Sequence, residues 1–258
     1  MYSINFRKTY YLGDSYDEIK NRAFQKLEKY WSYPNLIIFN DEERNVTFTT
    51  ERLIPKRSKN RPTILLLFSN PHPHSINQGM FLSRNTKGQK NLFWPVMKRA
   101  GWFSIPDEEE YSNQLAEILI LAEHGGPFDL IFYCYYAFPT DYPKDIKKIF
   151  GRTYFNQHIE IESADEFLAV IRKTEVEAVV SFNKGIFNHL ALRPVVRYIN
   201  ALNNGELIQS HIKSIDRIIP IFLTYPTGWR YHRDYMQLRI SNLDKIKSVI
   251  SSGIVKDK

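Results

Sequence analysis

Thr63-Ile64-Leu65-Leu66-Leu67-Phe68-Ser69-Asn70-Pro71 is the stretch whose reading decides the fold of this chain. A half-exposed strand alternates polar and apolar positions. A short unbroken apolar run bounded by Pro62 on one side and Ser69-Asn70-Pro71 on the other instead reads as a strand buried on both faces. Three more runs repeat the pattern: Phe128 to Tyr136, closed by Pro139; Glu177 to Ser181; and Ile218 to Leu223, which ends at Tyr225-Pro226-Thr227-Gly228. Helical stretches are predicted between and after them, at Asn91 to Ala100, Tyr111 to Glu123, Ser163 to Lys173, Ile186 to Leu192 and Asp234 to Ser251. Alternating buried strands and helices predict an α/β fold, a three-layer α/β/α sandwich with a central, mostly parallel four-stranded sheet. Ligands of such sheets bind beyond the carboxyl ends of the strands, which singles out the loops after Phe68, Tyr136, Ser181 and Leu223.

Upstream of the first strand, Ile19, Ala23, Phe24, Leu27 and Tyr30 recur at helical spacing within Ser15 to Trp31, and Asn35 to Phe48 reads as a hairpin. The expected organisation is a helix-and-hairpin extension over residues 1–55 packed on a main domain over 56–258. The basic segment Arg52 to Arg61, with Arg52, Lys56, Arg57, Lys59 and Arg61, reads as a linker or a phosphate-facing loop.

The chain has 258 residues, 43% of them hydrophobic, enough for one substantial core. Its formal net charge of +7 favours a polyanionic partner. The single cysteine, Cys134, excludes an internal disulfide, a Cys-ligated iron–sulfur cluster and a Cys-rich zinc site. His72 and His74 flank Pro73 with no carboxylate or cysteine close by in sequence, so neither a metal nor a cofactor is expected. Met1 to Arg7 lacks the pattern of a secretory signal, and the apolar run Ile64 to Phe68 is far too short to span a bilayer. A cytoplasmic monomer without membrane contact is the expectation. Phosphate-loop, dinucleotide-fingerprint and nucleophile-elbow motifs are missing, which argues against nucleoside triphosphate, dinucleotide and ester chemistry.

Two loops carry the functional signal. The first, Ser69 to Phe81, leaves the first strand and holds Asn70, His72 and His74; ten residues beyond it comes Asn91-Leu92-Phe93-Trp94-Pro95, ending Arg99-Ala100-Gly101. The second, Thr224 to Arg233, leaves the last strand and combines Tyr225, Trp229 and Tyr231 with Arg230, His232 and Arg233.

Asn70-Pro71, Phe81 and the F-W-P…R-A-G string resemble the motifs of the uracil-DNA glycosylase superfamily, closest to its mismatch-specific uracil/thymine branch. In that branch a strand runs into G-x-N-P-G, then a phenylalanine, then N-R-F-W-P-x-L-x-R-x-G. Pro226-Thr227-Gly228 is similar to the P-S-G of the segment with which the family grips DNA. The resemblance covers roughly Pro62 to Ile240. It departs at Phe68 and His72, where the family has its two glycines, at Tyr225, where it has His or Asn, and in a longer segment from Phe81 to Asn91.

What the resemblance implies is hydrolysis of the N-glycosidic bond of a uracil, mismatched or damaged base flipped out of DNA. Asn70 would position the attacking water and Phe81 would stack on the base. Tyr225 would replace the missing His as a catalytic donor. Ser69, Pro71, His72, His74 and Asn91 would join Phe81 around the substrate. Pro226, Thr227, Gly228, Trp229, Arg230, His232, Arg233 and Lys184 would contact DNA. Two alternatives stay open: a catalytically inactive DNA-binding module of the same fold, motivated by the lost glycines, and a hydrolase of free nucleosides or nucleotides.

Overall fold

The computed structural model describes residues 4–56, 60–83, 91–105, 113–213 and 217–256. The chain order begins with β1 (Asn5–Tyr11), α1 (Tyr16–Leu27), β2 (Ile37–Asn40) and β3 (Asn45–Leu53). It continues through β4 (Thr63–Phe68), α2 (Pro73–Gln78), α3 (Phe93–Arg99), α4 (Asn113–Ile120) and β5 (Asp129–Cys134). Next come α5 (Pro143–Phe150), α6 (Arg152–Tyr154), one π turn at Phe155–Ile159, α7 (Glu160–Thr174), β6 (Ala178–Ser181) and α8 (Lys184–Leu190). The last elements are α9 (Tyr198–Asn203), β7 (Ile208–His211), β8 (Pro220–Leu223) and α10 (Tyr235–Lys256).

The strands form one mixed sheet in the order β1-β3-β5-β4-β6-β8-β7, with β2 paired to β3 off that path, eight strands among the described residues where four were expected, because antiparallel strands extend it at both edges. Its centre, β5-β4-β6-β8, is parallel throughout, and these are the four strands expected from the apolar runs. β4 lies between β5 and β6, in register Leu65 with Ile131 on one side and Leu65 with Val179 on the other. All six of its residues are buried, as a central strand under helices on both faces requires. Ile64, Leu66 and Phe68 pack with residues of α3, α4 and α10, whereas Leu65 and Leu67 pack with α7, α8 and α9.

The N-terminal segment departs from the expected extension. β3 ends by pairing antiparallel with β5, Arg52 opposite Tyr133 and Leu53 opposite Phe132, so the hairpin is continuous with the central sheet. α1 packs through Ile19, Ala23 and Leu27 in a third apolar cluster with Ile146, Ile149 and Phe150 of α5. Arg61 does not face a phosphate at the carboxyl end of the sheet. It lies just before β4, where its Nε meets Asp129 at 3.1 Å and its Nη atoms donate to the Ala122 and Gly126 carbonyls. Arg57 and Lys59 lie outside the described residues. Arg52 sits on β3 with its guanidinium over the Phe6 ring at 4.8 Å.

Strand order reverses at β4. The chain leaves it along one face of the sheet to reach β5, and leaves β6 along the other face to reach β8. Loops that part in this way leave a crevice outside the carboxyl ends of the strands between them. The loop Ser69–His72 and the loop Phe182–Asn183 flank that point.

Candidate functional site

A cleft of about 640 Å³ opens at this end of the sheet, within the range that holds a small ligand or a nucleotide. Ser69, Asn70, His72 and His74 from the loop after β4 line it, together with Asn91 before α3 and Thr227 from the loop after β8. The two loops singled out in the sequence therefore meet. Thr140, Asp141 and Tyr142 come from the loop after β5, another of the four singled out, whereas Lys29, Tyr30 and Tyr33, from the segment after α1, are unanticipated.

Asn70 is held rigidly. Its Nδ2 donates to the Thr140 carbonyl at 2.7 Å and approaches Thr140 Oγ1 at 3.1 Å and the Pro71 carbonyl at 3.2 Å. A carbonyl can only accept, which fixes the amide orientation and turns Oδ1 the other way, where Ser69 Oγ donates to it at 3.1 Å. One lone pair of Oδ1 remains for a ligand or a water. Pro71 itself is buried; its carbonyl accepts from the Thr140 N–H at 3.2 Å, tying the two loops together.

His72, His74 and Asp141 form a hydrogen-bonded wall. The His74 N–H donates to His72 Nδ1 at 3.1 Å, so His72 carries its proton on Nε2, which faces Asp141 Oδ1 at 3.2 Å. The Tyr30 hydroxyl donates to the same Oδ1, and Lys29 Nζ meets Oδ2 at 2.6 Å. Partial burial would raise the Asp141 carboxyl, but the Lys29 and Tyr30 hydrogen bonds outweigh it and hold the group below the usual carboxylate range. Its partners move the other way: the Asp141 bond pushes the Lys29 ammonium up, and burial together with the Asp141 bond takes the Tyr30 hydroxyl up to about 12. His74 Nδ1 pairs with the Tyr33 hydroxyl at 3.1 Å. Asp141 is thus an anion in the cleft, and the only carboxylate among its described lining residues.

This loop takes its shape from a helix hidden within it. His72 caps α2, Pro73 occupies its first turn and Gly79 ends it in the left-handed region at φ 74°. The Asn91 Oδ1 accepts from the Phe93 N–H at 3.0 Å and starts α3.

Other expected residues stand apart from the cleft. Phe81 is 1% exposed and packs against Phe68 and Phe132 in the core, so no base can lie on its ring. Phe68 stacks on Phe182 at 5.1 Å in the same cluster. Tyr225 is also 1% exposed. Its hydroxyl donates to Asn203 Oδ1 at 3.1 Å and its ring stacks on buried Trp229 at 4.3 Å, which makes both rings packing residues. Burial takes the Tyr225 hydroxyl up to about 12. The Pro226 carbonyl accepts from the Trp229 N–H, closing a tight turn that presents Thr227 to the cleft and leaves Gly228 exposed. Arg230, His232 and Arg233 are exposed, with Arg233 and His232 beside Asp234. Lys184 does not line the cleft: its Nζ donates to the Val196 carbonyl at 2.7 Å.

Among the described residues no group of three or more His, Cys, Asp or Glu is arranged to hold a metal ion, and no helix is long and apolar enough to cross a membrane. No protein-family model matches this chain, and no curated protein matches it in sequence.

Proposed function

We propose that the chain is a DNA glycosylase-like protein, a three-layer α/β/α sandwich of the uracil-DNA glycosylase kind, whose cleft takes a base everted from DNA and hydrolyses its N-glycosidic bond. The observation that carries the reading is the convergence of Asn70 and Thr227, from the loops after β4 and β8, on one cleft of nucleotide size. In this reaction the sugar becomes oxocarbenium-like as the base departs. Asn70 Oδ1, fixed by Ser69 and Thr140, orients the water; an amide is a weak base, so its contribution is positioning. The Asp141 anion stabilises positive charge on the sugar and takes up the proton of the water, held in place by Lys29, Tyr30 and His72. With Phe81 in the core, Tyr30, Tyr33 and Tyr142 supply the flat surfaces for the base.

The test is incubation with single strands and duplexes carrying uracil, G·T mismatches, hypoxanthine or alkylated bases, followed by alkali. The wild type is expected to give abasic product from at least one of them. Asn70→Ala and Asp141→Asn are expected to slow it by roughly 10²- to 10⁴-fold while leaving DNA binding within a few-fold. If no substrate yields product, excision is refuted. The burial of Phe81 and Tyr225 favours a second reading, a DNA-binding module of the same fold without catalysis. That reading requires salt-dependent DNA binding with a log–log slope of several units and no product.

A further inference from the structure

Arg239, one turn into α10, is 2% exposed, and its Nη1 has no hydrogen-bond partner among the described residues. A guanidinium remains charged in any protein environment, and a buried charge without a counterion is strongly destabilising. No carboxylate among the described residues compensates it. The charged group nearest in effect is a second cation, Arg230, which adds to burial in pulling the Arg239 guanidinium down to about 10. Arg230 is exposed and pairs with no carboxylate among the described residues, while the neighbouring Asp234 is engaged by Arg233 and His232. Asn242 lies three residues further along α10, on the same helix face as Arg239. Its Oδ1 accepts from the Thr224 hydroxyl at 2.6 Å, which leaves its amide N–H₂ group without an acceptor among the described residues. Thr224 immediately follows β8, which puts Asn242 at the carboxyl end of the sheet, and Arg230 belongs to the same loop that presents Thr227 to the cleft.

A buried guanidinium, an exposed guanidinium and a free amide make a set of donors with no anion to receive them. We propose that Arg239, Arg230 and Asn242 form a binding site for a phosphate group. A phosphate has the charge to balance two cations and enough oxygens to accept from all three side chains, with Arg239 able to bind it through two parallel N–H bonds. The phosphate comes either from a nucleic-acid backbone or from a free phosphate ion. The site does not rest on base excision: a chain that cuts no base still carries these donors.

The test compares wild type with Arg239→Met by thermal unfolding at matched ionic strength, in chloride and in inorganic phosphate. Binding to the folded state alone raises Tm with ligand concentration. The expected result is a rise of several degrees for wild type in millimolar phosphate and none for R239M, which in chloride is at least as stable as wild type because an unpaired buried charge is gone. A second arm measures binding of a 12-nucleotide oligo-deoxythymidylate. If inorganic phosphate is silent and R239M binds the oligonucleotide at least tenfold more weakly, the site belongs to a nucleic-acid backbone. Equal responses of wild type and R239M to both probes overturn the proposal. So does an R239M protein several degrees less stable in chloride, since Arg239 would then be internally paired. Should R239M fail to fold, Arg230→Gln, an exposed change, decides: a severalfold loss of phosphate or oligonucleotide binding supports the site, and an unchanged response overturns it. Abasic-product formation is measured separately, so failure of the excision reading leaves these outcomes intact.

Discussion

A carboxyl group removed from water without a cation beside it favours its protonated form, and Glu51 on β3 is such a residue. It is 3% exposed, its Oε2 has no hydrogen-bond partner among the described residues, and burial raises its pKa well above the ordinary value. The folded state therefore holds a proton that the unfolded chain releases above pH 4.5. Stability from this group is complete below that pH and is lost as pH rises towards the folded-state value. Glu51→Gln is expected to remove the loss: urea midpoints of wild type should fall between pH 5 and pH 8 relative to those of E51Q. His124 acts on the acid side. Burial first and the Arg61 charge second lower it to about 4, so the stability it provides above pH 6.5 disappears as the pH drops towards 4. Single residues of the cleft were legible where a loop concentrated them, as with Asn70, His72 and His74. Asp141, Lys29, Tyr30 and Tyr33 were not, because each sits in an ordinary turn or helix end and acquires meaning only when segments far apart in the chain meet. Phe81 and Tyr225 failed in the opposite sense: the resemblance placed them at the site, but an aromatic side chain beside an apolar strand end is as readily drawn into the core.

Among the elements, the four central strands could be read because burial on both faces leaves an uninterrupted apolar run. β1 could not: at the sheet edge only some of its residues face the core, and Asn5, Arg7, Lys8 and Thr9 break any apolar pattern. α2 was missed inside a loop although His72, Pro73 and Gly79 are start and stop signals of a short helix. α5 was missed as well, despite Pro143 at its start and Ile146, Ile149 and Phe150 at helical spacing. The helix after β6 shows how a cap sets geometry next to the crevice. Asn183 Oδ1 accepts from the Ile186 N–H at 3.1 Å and opens α8 where β6 ends. Asn183→Ala should cost about 1 kcal/mol, read as a lower urea midpoint with an unchanged slope.

At the scale of the molecule, the cleft draws on residues from Lys29 to Thr227, so its walls are complete only when the N-terminal segment, the β5 loop and the last strand are all in place. The same dependence on distant partners holds for the sheet itself. β4 is complete at residue 68, yet the strands that flank it begin at 129 and 178. During synthesis on a ribosome, or on dilution from denaturant, the segment TILLLF waits with both edges open. It has the β-branched and apolar composition, and lacks the charge and proline, that make a short segment prone to self-association. Refolding should therefore compete with aggregation: recovered soluble protein should fall and light scattering should rise steeply with concentration, while a charge placed in the strand, as in Leu66→Lys, should abolish both the scattering and the fold. The strand that anchors the finished protein is thus its main hazard while the chain is incomplete, and the order of strands in the sheet sets how long that exposure lasts.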